Sequence, residues 1–133
     1  EKLPSRAKRK VKHNSIIFST VRPNQLHYGI IKEQPENFLV STGFTVIDVY
    51  PNKADADFVY YSLTQTEIIQ HLQAIAEQST SAYPSIKASD IEDLEIVLPD
   101  IETQRRISAI FQALDKKKVI NAAINENLRL QAA

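Results

Sequence analysis

The sequence predicts an α+β fold, with a small mixed sheet and short helices followed by one long C-terminal coiled-coil helix. Three observations predict it. β-Branched and aromatic residues concentrate in short runs within the first fifty positions, apolar residues recur at steps of three and four after residue 64, and about thirty residues from Ile101 onward contain no Gly or Pro. The 133 residues are one domain's worth, and 43% hydrophobic with 24% charged residues suffices for a core. No run approaches the roughly 18 apolar residues of a membrane span, and no signal-peptide succession opens the chain. A cytoplasmic protein with no membrane partner is expected. The start at Glu1, without an initiator methionine, suggests a fragment.

Residues 15–22 (SIIFSTVR) read as a strand, after which Pro23 and Asn24 turn the chain. A second strand is expected around residues 29–32. Residues 39–50 (LVSTGFTVIDVY) alternate through Phe44, Val46 and either Asp48 or Val49, and Pro51 and Asn52 end the run. Gly43 within it marks a bulge or a close backbone contact. One helix is predicted over residues 55–63 and another after Thr64, where Thr64 and Glu67 stand at capping-box spacing. Ile68, Leu72 and Ile75 share a face of the second helix and are read as core. Residues 78–88 (QSTSAYPSIKA) form a loop, Ser89 and Glu92 repeat the capping-box spacing, and residues 94–98 read as a short strand closed by Pro99.

Asp100 is a good N-cap for the last helix, predicted over residues 101–130. At 1.5 Å per residue it spans roughly 45 Å, more than a domain this small can cover. The chain therefore divides into a folded unit over residues 1–99 and a helical segment over residues 100–133. Heptads place Ile107, Leu114, Asn121 and Leu128 at one position of a seam, with Ile110, Lys117, Ile124 and Gln131 at the other. Lys117 and Gln131 weaken that seam, and Asn121 resembles the polar residue that fixes register at a cost in stability. The alternative is a helix docked along its own domain.

The zero net charge hides a division. Residues 1–32 hold eight Lys or Arg against one acid, a net of +7, and the remainder carries −7. A basic segment can pair with phosphate, although Lys8, Arg9, Lys10 and Lys12 could equally be a solvated face. Enzymatic readings find little support. No cysteine is present, the three histidines (His13, His27, His71) are far apart without companion acids, and only Gly29 and Gly43 are available for a phosphate-cradling loop. No catalytic residue and no metal site is assigned.

Two polar loops are more informative. Arg22, Asn24 and Gln25 follow a strand and offer a guanidinium fork for phosphate or guanine and two amides of the kind that pair with adenine. Ser79, Thr80, Ser81, Tyr83 and Lys87 offer hydroxyls, an aromatic plane and a cation. Ordinary turn chemistry and a plain polar loop explain the same residues.

With these segments in order, "IIFSTVRPNQ", "LVSTGFTVI", "YPSIKASDIEDLEIVLPDIETQRRISAIFQALD" and "NAAINENL", the chain resembles the specificity subunit of type I restriction-modification systems. It is similar to the later part of one target recognition domain plus the adjoining long helix, with the earlier part of that domain expected to be absent. The resemblance implies a non-catalytic subunit that reads one half of a split double-stranded DNA site through its loops. It also implies a coiled-coil spacer and a scaffold for modification (methyltransferase) subunits, with the restriction subunit joined through the complex. S-adenosylmethionine, ATP and magnesium would belong to those partners and none to this chain. The implied DNA contacts are Lys8, Arg9, Lys10, Lys12, Arg22, Asn24, Gln25, Ser79, Thr80, Ser81, Tyr83 and Lys87. The implied coiled-coil and partner residues are Gln104, Arg105, Arg106, Ile107, Ile110, Leu114, Asn121, Ile124 and Leu128.

The pattern departs from the family at Lys118, where an apolar residue is usual, within the run Lys116, Lys117, Lys118. A looser or rearranged middle seam follows. A different reading is an interaction module or truncated half subunit that self-associates through the helix and binds no DNA. If Asn121 sits in the seam, Asn121→Leu is expected to stabilise association while loosening its orientation. Sedimentation and thermal melting check this, and an unchanged mass and melting temperature would place Asn121 outside the seam.

Overall fold

A computed structural model describes residues 6–34 and 37–133; Glu1 and Lys2 of the basic start lie outside them. Five strands come first: β1 (Ala7–Lys10), β2 (Ile16–Ser19), β3 (Tyr28–Ile30), β4 (Leu39–Ser41) and β5 (Phe44–Ile47). Four helices follow: α1 (Ala56–Leu63), α2 (Thr66–Glu77), α3 (Ala88–Glu92) and α4 (Ile101–Ala132). A 3₁₀ turn, Pro23–Gln25, joins β2 to β3.

The strands form two small sheets, β3–β2–β5 and β1–β4. Each pairing is antiparallel, where the sequence suggested a mixed sheet. Every strand precedes the first helix, so the described residues contain no strand–helix–strand crossover of the kind that makes parallel neighbours. β2 is central, with Ile16 opposite Ile30 and Ile47, and Phe18 opposite Tyr28 and Thr45. Its alternate residues Ile16 and Phe18 are buried, and Phe18 stacks on Tyr28 with ring centroids 5.6 Å apart.

The alternating run over residues 39–50 is two strands rather than one. β4 pairs with β1, β5 pairs with β2, and Thr42 and Gly43 make the turn between them. The close contact suggested by Gly43 is its carbonyl, which accepts the Thr20 N–H (2.9 Å) and the Thr20 hydroxyl (3.0 Å). β1 has no apolar period of its own, and β4 supplies its ladder.

Helices α1, α2 and α3 cover the three-stranded sheet. Leu63, Ile69, Leu72, Ala76, Ile86 and Ile91 join Ile16 and Phe18 in one core. The buried face of α2 is centred on Ile69, Leu72 and Ala76, with Ile68 and Ile75 half-buried at its margins. Asp55 caps α1, its carboxylate accepting the Phe58 N–H at 3.0 Å.

Neither expected capping box forms. The Thr64 hydroxyl turns back to the Tyr60 carbonyl (3.0 Å) and closes α1, leaving Gln65 to precede α2 without a side-chain cap. At α3 the helix begins one residue before Ser89, so Asp90, not Glu92, accepts the N–H of the residue before the helix, Lys87, at 2.6 Å. Residues 94–98 are not a strand. Leu94 and Ile96 face inward and alternate with exposed Glu95 and Val97, but the segment runs across α1 and the start of α2, where no strand edge can pair with it.

The core sets a direct stability expectation. Leu72 is fully buried between sheet and helices, so Leu72→Ala is expected to cost about 2–5 kcal/mol in urea unfolding with an unchanged m-value. A loss well under 1 kcal/mol would contradict this packing.

Candidate nucleic-acid interface and the base of the long helix

The fold brings together the two loops that the sequence nominated. Past the end of β2 the chain is stitched antiparallel to residues 84–86. The Ile86 N–H donates to the Thr20 carbonyl (2.9 Å), the Arg22 N–H donates to the Pro84 carbonyl (2.9 Å), and Val21 bridges Ser85. Arg22 therefore lies beside Tyr83, and the turn carrying Asn24 and Gln25 starts from this stitch.

The 3₁₀ turn is tightly held. Pro23 is buried, the N–H groups of Gln25 and Leu26 close back on Arg22 and Pro23 (2.9 and 3.0 Å), and the Asn24 N–H donates to Gln73 Oε1 on α2 (3.2 Å). Arg22 and Leu26 flank the turn in the left-handed region, at φ 49° and 57°. That conformation costs a side-chain-bearing residue about 1–2 kcal/mol, and the surrounding hydrogen bonds impose it. The turn thrusts outward Arg22, Asn24, Gln25 and Leu26, the last 54% exposed.

The serines have a partly internal role. Ser81 Oγ lies 3.0 Å from Ser79 Oγ and 2.8 Å from Ser85 Oγ, and it donates to the Tyr83 carbonyl. These hydroxyls shape the loop, while Thr80, Tyr83 and Lys87 are exposed. Sequence reasoning did not single out Leu26 or Gln73. Nothing local marks Gln73, which acts on a residue 49 positions away.

Lys8, Arg9 and Lys10 are exposed on the β1–β4 ribbon and form no ion pair among the described residues. The ribbon is tied toward the loops: the Thr42 N–H donates to the Arg6 carbonyl (2.9 Å), and neighbouring Gly43 accepts from Thr20. Lys12 is different, because it faces Asp48 at 3.3 Å. Both groups are largely solvated, so that pair adds little to stability.

The long helix is fastened at its base by a shared carboxylate. Asp55, the cap of α1, accepts the Ser108 hydroxyl (2.9 Å), and its own N–H donates to Gln104 Oε1 (2.9 Å). The Gln104 Nε2 donates to the Pro99 carbonyl (2.7 Å). Gln104, grouped by resemblance with the partner-facing residues, is thus 1% exposed and spent within the chain; it is out of a partner's reach. Asp100 caps α4 as expected. Its carboxyl is held below the usual carboxylate range by hydrogen bonds from the Thr103 side chain and N–H.

Above this network Phe111 stacks on Tyr61 at 5.0 Å, and the Tyr61 hydroxyl donates to Asp115 Oδ2 at 2.8 Å. Tyr61 continues through Tyr60 and Tyr28 to Phe18, an aromatic file from helix to sheet. Burial, then the hydrogen bond and negative charge of Asp115, push the Tyr61 phenol far above its ordinary value. Burial, then Tyr28 and Asp115, also raise Tyr60.

Gln104, Ser108, Phe111 and Asp115 make one stripe of α4. Ile110, Leu114, Lys117, Asn121, Ile124, Leu128 and Gln131 make a second, about a third of a turn away, and it is exposed. The domain thus holds α4 by one stripe and leaves the expected seam uncovered. Ile107 is half-buried, and Arg105 and Arg106 are exposed. Docking along its own domain accounts only for the helix up to Asp115.

With this geometry in place, the comparisons with known proteins identify the class: residues 2–130 match the family described as "Type I restriction modification DNA specificity domain", and the chain belongs to it. The type I restriction enzyme HindI specificity subunit of Haemophilus influenzae is 32% identical over 126 residues, which cover 95% of this chain and 28% of the relative. The crystal structure of the HsdS subunit from Thermoanaerobacter tengcongensis superposes with a TM-score of 0.74 at 28% identity, over 86% of this chain and 29% of that one. A second solved chain, from work on complex assembly and conformational transition of the type I R-M system, gives 0.70 at 29% identity with the same coverage. The chain therefore spans under a third of the length of the relatives it matches. No helix among the described residues is long and apolar enough to cross a membrane.

The Tyr61–Asp115 bond predicts a pH dependence. Because the folded value is raised, its contribution is complete below about pH 10, the ordinary tyrosine value, and is lost as pH rises through the folded value. The stability difference between wild type and Tyr61→Phe is expected to be flat from neutral pH to about pH 9 and to shrink only in strong alkali. In absorbance titration at 295 nm, Tyr61→Phe should remove the last-ionising component. Loss of a component at the ordinary value instead would contradict the contact.

Proposed function

We propose that this chain is a non-catalytic DNA-reading module that recognises one half of a split double-stranded site and carries the helix that sets spacing and recruits modification subunits. The observation that carries this reading is the assembly of both nominated loops into one exposed surface, tied to a ribbon bearing three cations that pair with no acid among the described residues. An antiparallel ribbon of two strands and a rigid loop tip are shapes that a major groove admits. Lys8, Arg9 and Lys10 supply phosphate contacts; Arg22, Asn24 and Gln25, with Thr80, Tyr83 and Lys87 nearby, face the bases. Phosphate contacts position such a protein, and base contacts specify the sequence.

The free stripe of α4 suits a second helix, either from a further segment of a longer subunit or from another copy of this chain. Arg105, Arg106, Ile110, Leu114, Asn121, Ile124 and Leu128 are the residues available to it and to a methyltransferase subunit. S-adenosylmethionine, ATP and magnesium belong in this proposal to the modification and restriction subunits.

Selection from a randomised duplex pool, with and without a modification subunit and at two salt concentrations, tests the proposal. Enrichment of a short half-site, strengthened by that subunit, is expected. A folded chain that enriches nothing in either condition would reduce it to an interaction module. Replacing Lys8, Arg9 and Lys10 with Ala should weaken binding equally on all sequences and lower the salt slope by about 0.9 for each phosphate no longer neutralised. An unchanged slope would remove β1 from the interface.

A further inference from the structure

Most cations of the proposed reading surface lie on the ribbon. Lys8, Arg9 and Lys10 line it, while the turn from Pro23 to Leu26 and the loop over residues 79–85 contain no charged side chain, and Lys87 follows that loop at its far end. Arg22 stands among these uncharged groups. Its guanidinium carbon lies 5.2 Å from the centre of the Tyr83 ring, and its side chain makes no hydrogen bond or ion pair among the described residues. Tyr83 is itself 59% exposed, so this cation–π pair is presented outward.

A cation–π contact restrains where a guanidinium sits without consuming any of its N–H donors. The Arg22 backbone is fixed as well, held left-handed at φ 49° by its N–H bond to the Pro84 carbonyl and by the Gln25 N–H on its own carbonyl. A cation that only tracks phosphate needs neither restraint, since a mobile point charge serves. A planar fork held at both ends, apart from the phosphate-facing cations and beside amide and hydroxyl groups, matches the paired acceptors O6 and N7 on the major-groove edge of guanine.

From this geometry we infer that Arg22 reads a guanine in the half-site and that Tyr83 is its positioning residue rather than a base contact. The inference rests on the DNA-reading function proposed above and adds one base and one residue pair to it. The neighbouring amides of Asn24 and Gln25 then face the adjoining base pairs.

The test is the same selection from a randomised duplex pool, run in the presence of a modification subunit with wild type, Arg22→Ala, Arg22→Lys, Tyr83→Ala and Tyr83→Phe, each checked for wild-type melting. Wild type should enrich a half-site with an invariant G·C pair. Arg22→Ala and Arg22→Lys should relax preference at that pair by roughly ten- to a hundredfold and leave other positions unchanged. Tyr83→Ala should relax the same pair partially, and Tyr83→Phe, which keeps the ring, should preserve it. Equal weakening on every sequence by Arg22→Ala, relaxation at a pair other than G·C, or an unaltered half-site would each overturn the inference while leaving DNA reading intact. Loss of preference in Tyr83→Phe equal to that in Tyr83→Ala would overturn the positioning role. Failure of wild type to enrich any sequence would overturn the DNA-reading proposal and this inference with it.

Discussion

The carboxylate of Asp55 is the point through which the folded unit and the long helix become one body. It caps α1, accepts the Ser108 hydroxyl, and sits on a residue whose N–H is taken by Gln104. Each group is buried or half-buried, and among the described residues no buried side-chain polar atom lacks a partner. Such a network is costly to break because the groups left behind are desolvated, at about 1–3 kcal/mol for each unsatisfied partner. Phe111 on Tyr61 and the Tyr61–Asp115 bond extend the same attachment for two more turns. The direction in which α4 leaves the domain is therefore set by specific contacts, and so is its angle to the loops at residues 22–26 and 79–87.

That attachment explains the division of the helix surface. A helix fastened along one stripe has a fixed rotation about its axis, so the stripe of Ile110, Leu114, Asn121, Ile124 and Leu128 points the same way relative to the loops at residues 22–26 and 79–87. Under the proposed function, which places two recognition units at a set distance on a duplex, rotation and length both matter. Dimeric DNA-binding proteins meet the same constraint, since half-site spacing follows from protein geometry. Lys118 lies along the docking stripe, at the crotch where the helix leaves the tyrosines. Lys117, one residue earlier, is the cation that falls in the free stripe.

Much of this was legible in the sequence because local chemistry decided it. Asp55 and Asp100 cap the helices they were expected to begin, and the absence of Gly and Pro after Ile101 does predict one uninterrupted helix. The α+β class followed from short strand-like runs ahead of helical ones. Tertiary context decided the rest. The alternation over residues 39–50 carried no sign that Thr42 and Gly43 would divide it between two sheets, and the alternation over residues 94–98 reflects a segment lying on helices rather than pairing with a strand. Thr64 illustrates competition between local bonds: its hydroxyl could cap the next helix or close the previous one, and it closes the previous one. In the candidate site, both loops were visible as polar segments. Their union depends on a backbone stitch between residues more than sixty positions apart, for which no short-range signal exists. Gln104 was visible only as part of a family pattern, and its burial emerges from its contact with Asp55.

Separate surfaces on one rigid frame serve separate partners in this scheme, and hydrogen exchange of the chain with a selected duplex and then with a modification subunit tests that most directly. Duplex should slow exchange at residues 8–10, 20–26 and 79–87. The modification subunit should slow it in α4 beyond Asp115, and the junction from Gln104 to Asp115 should stay equally protected throughout. Duplex protection confined to the free stripe of α4, or loss of protection at the junction when either partner binds, would contradict it.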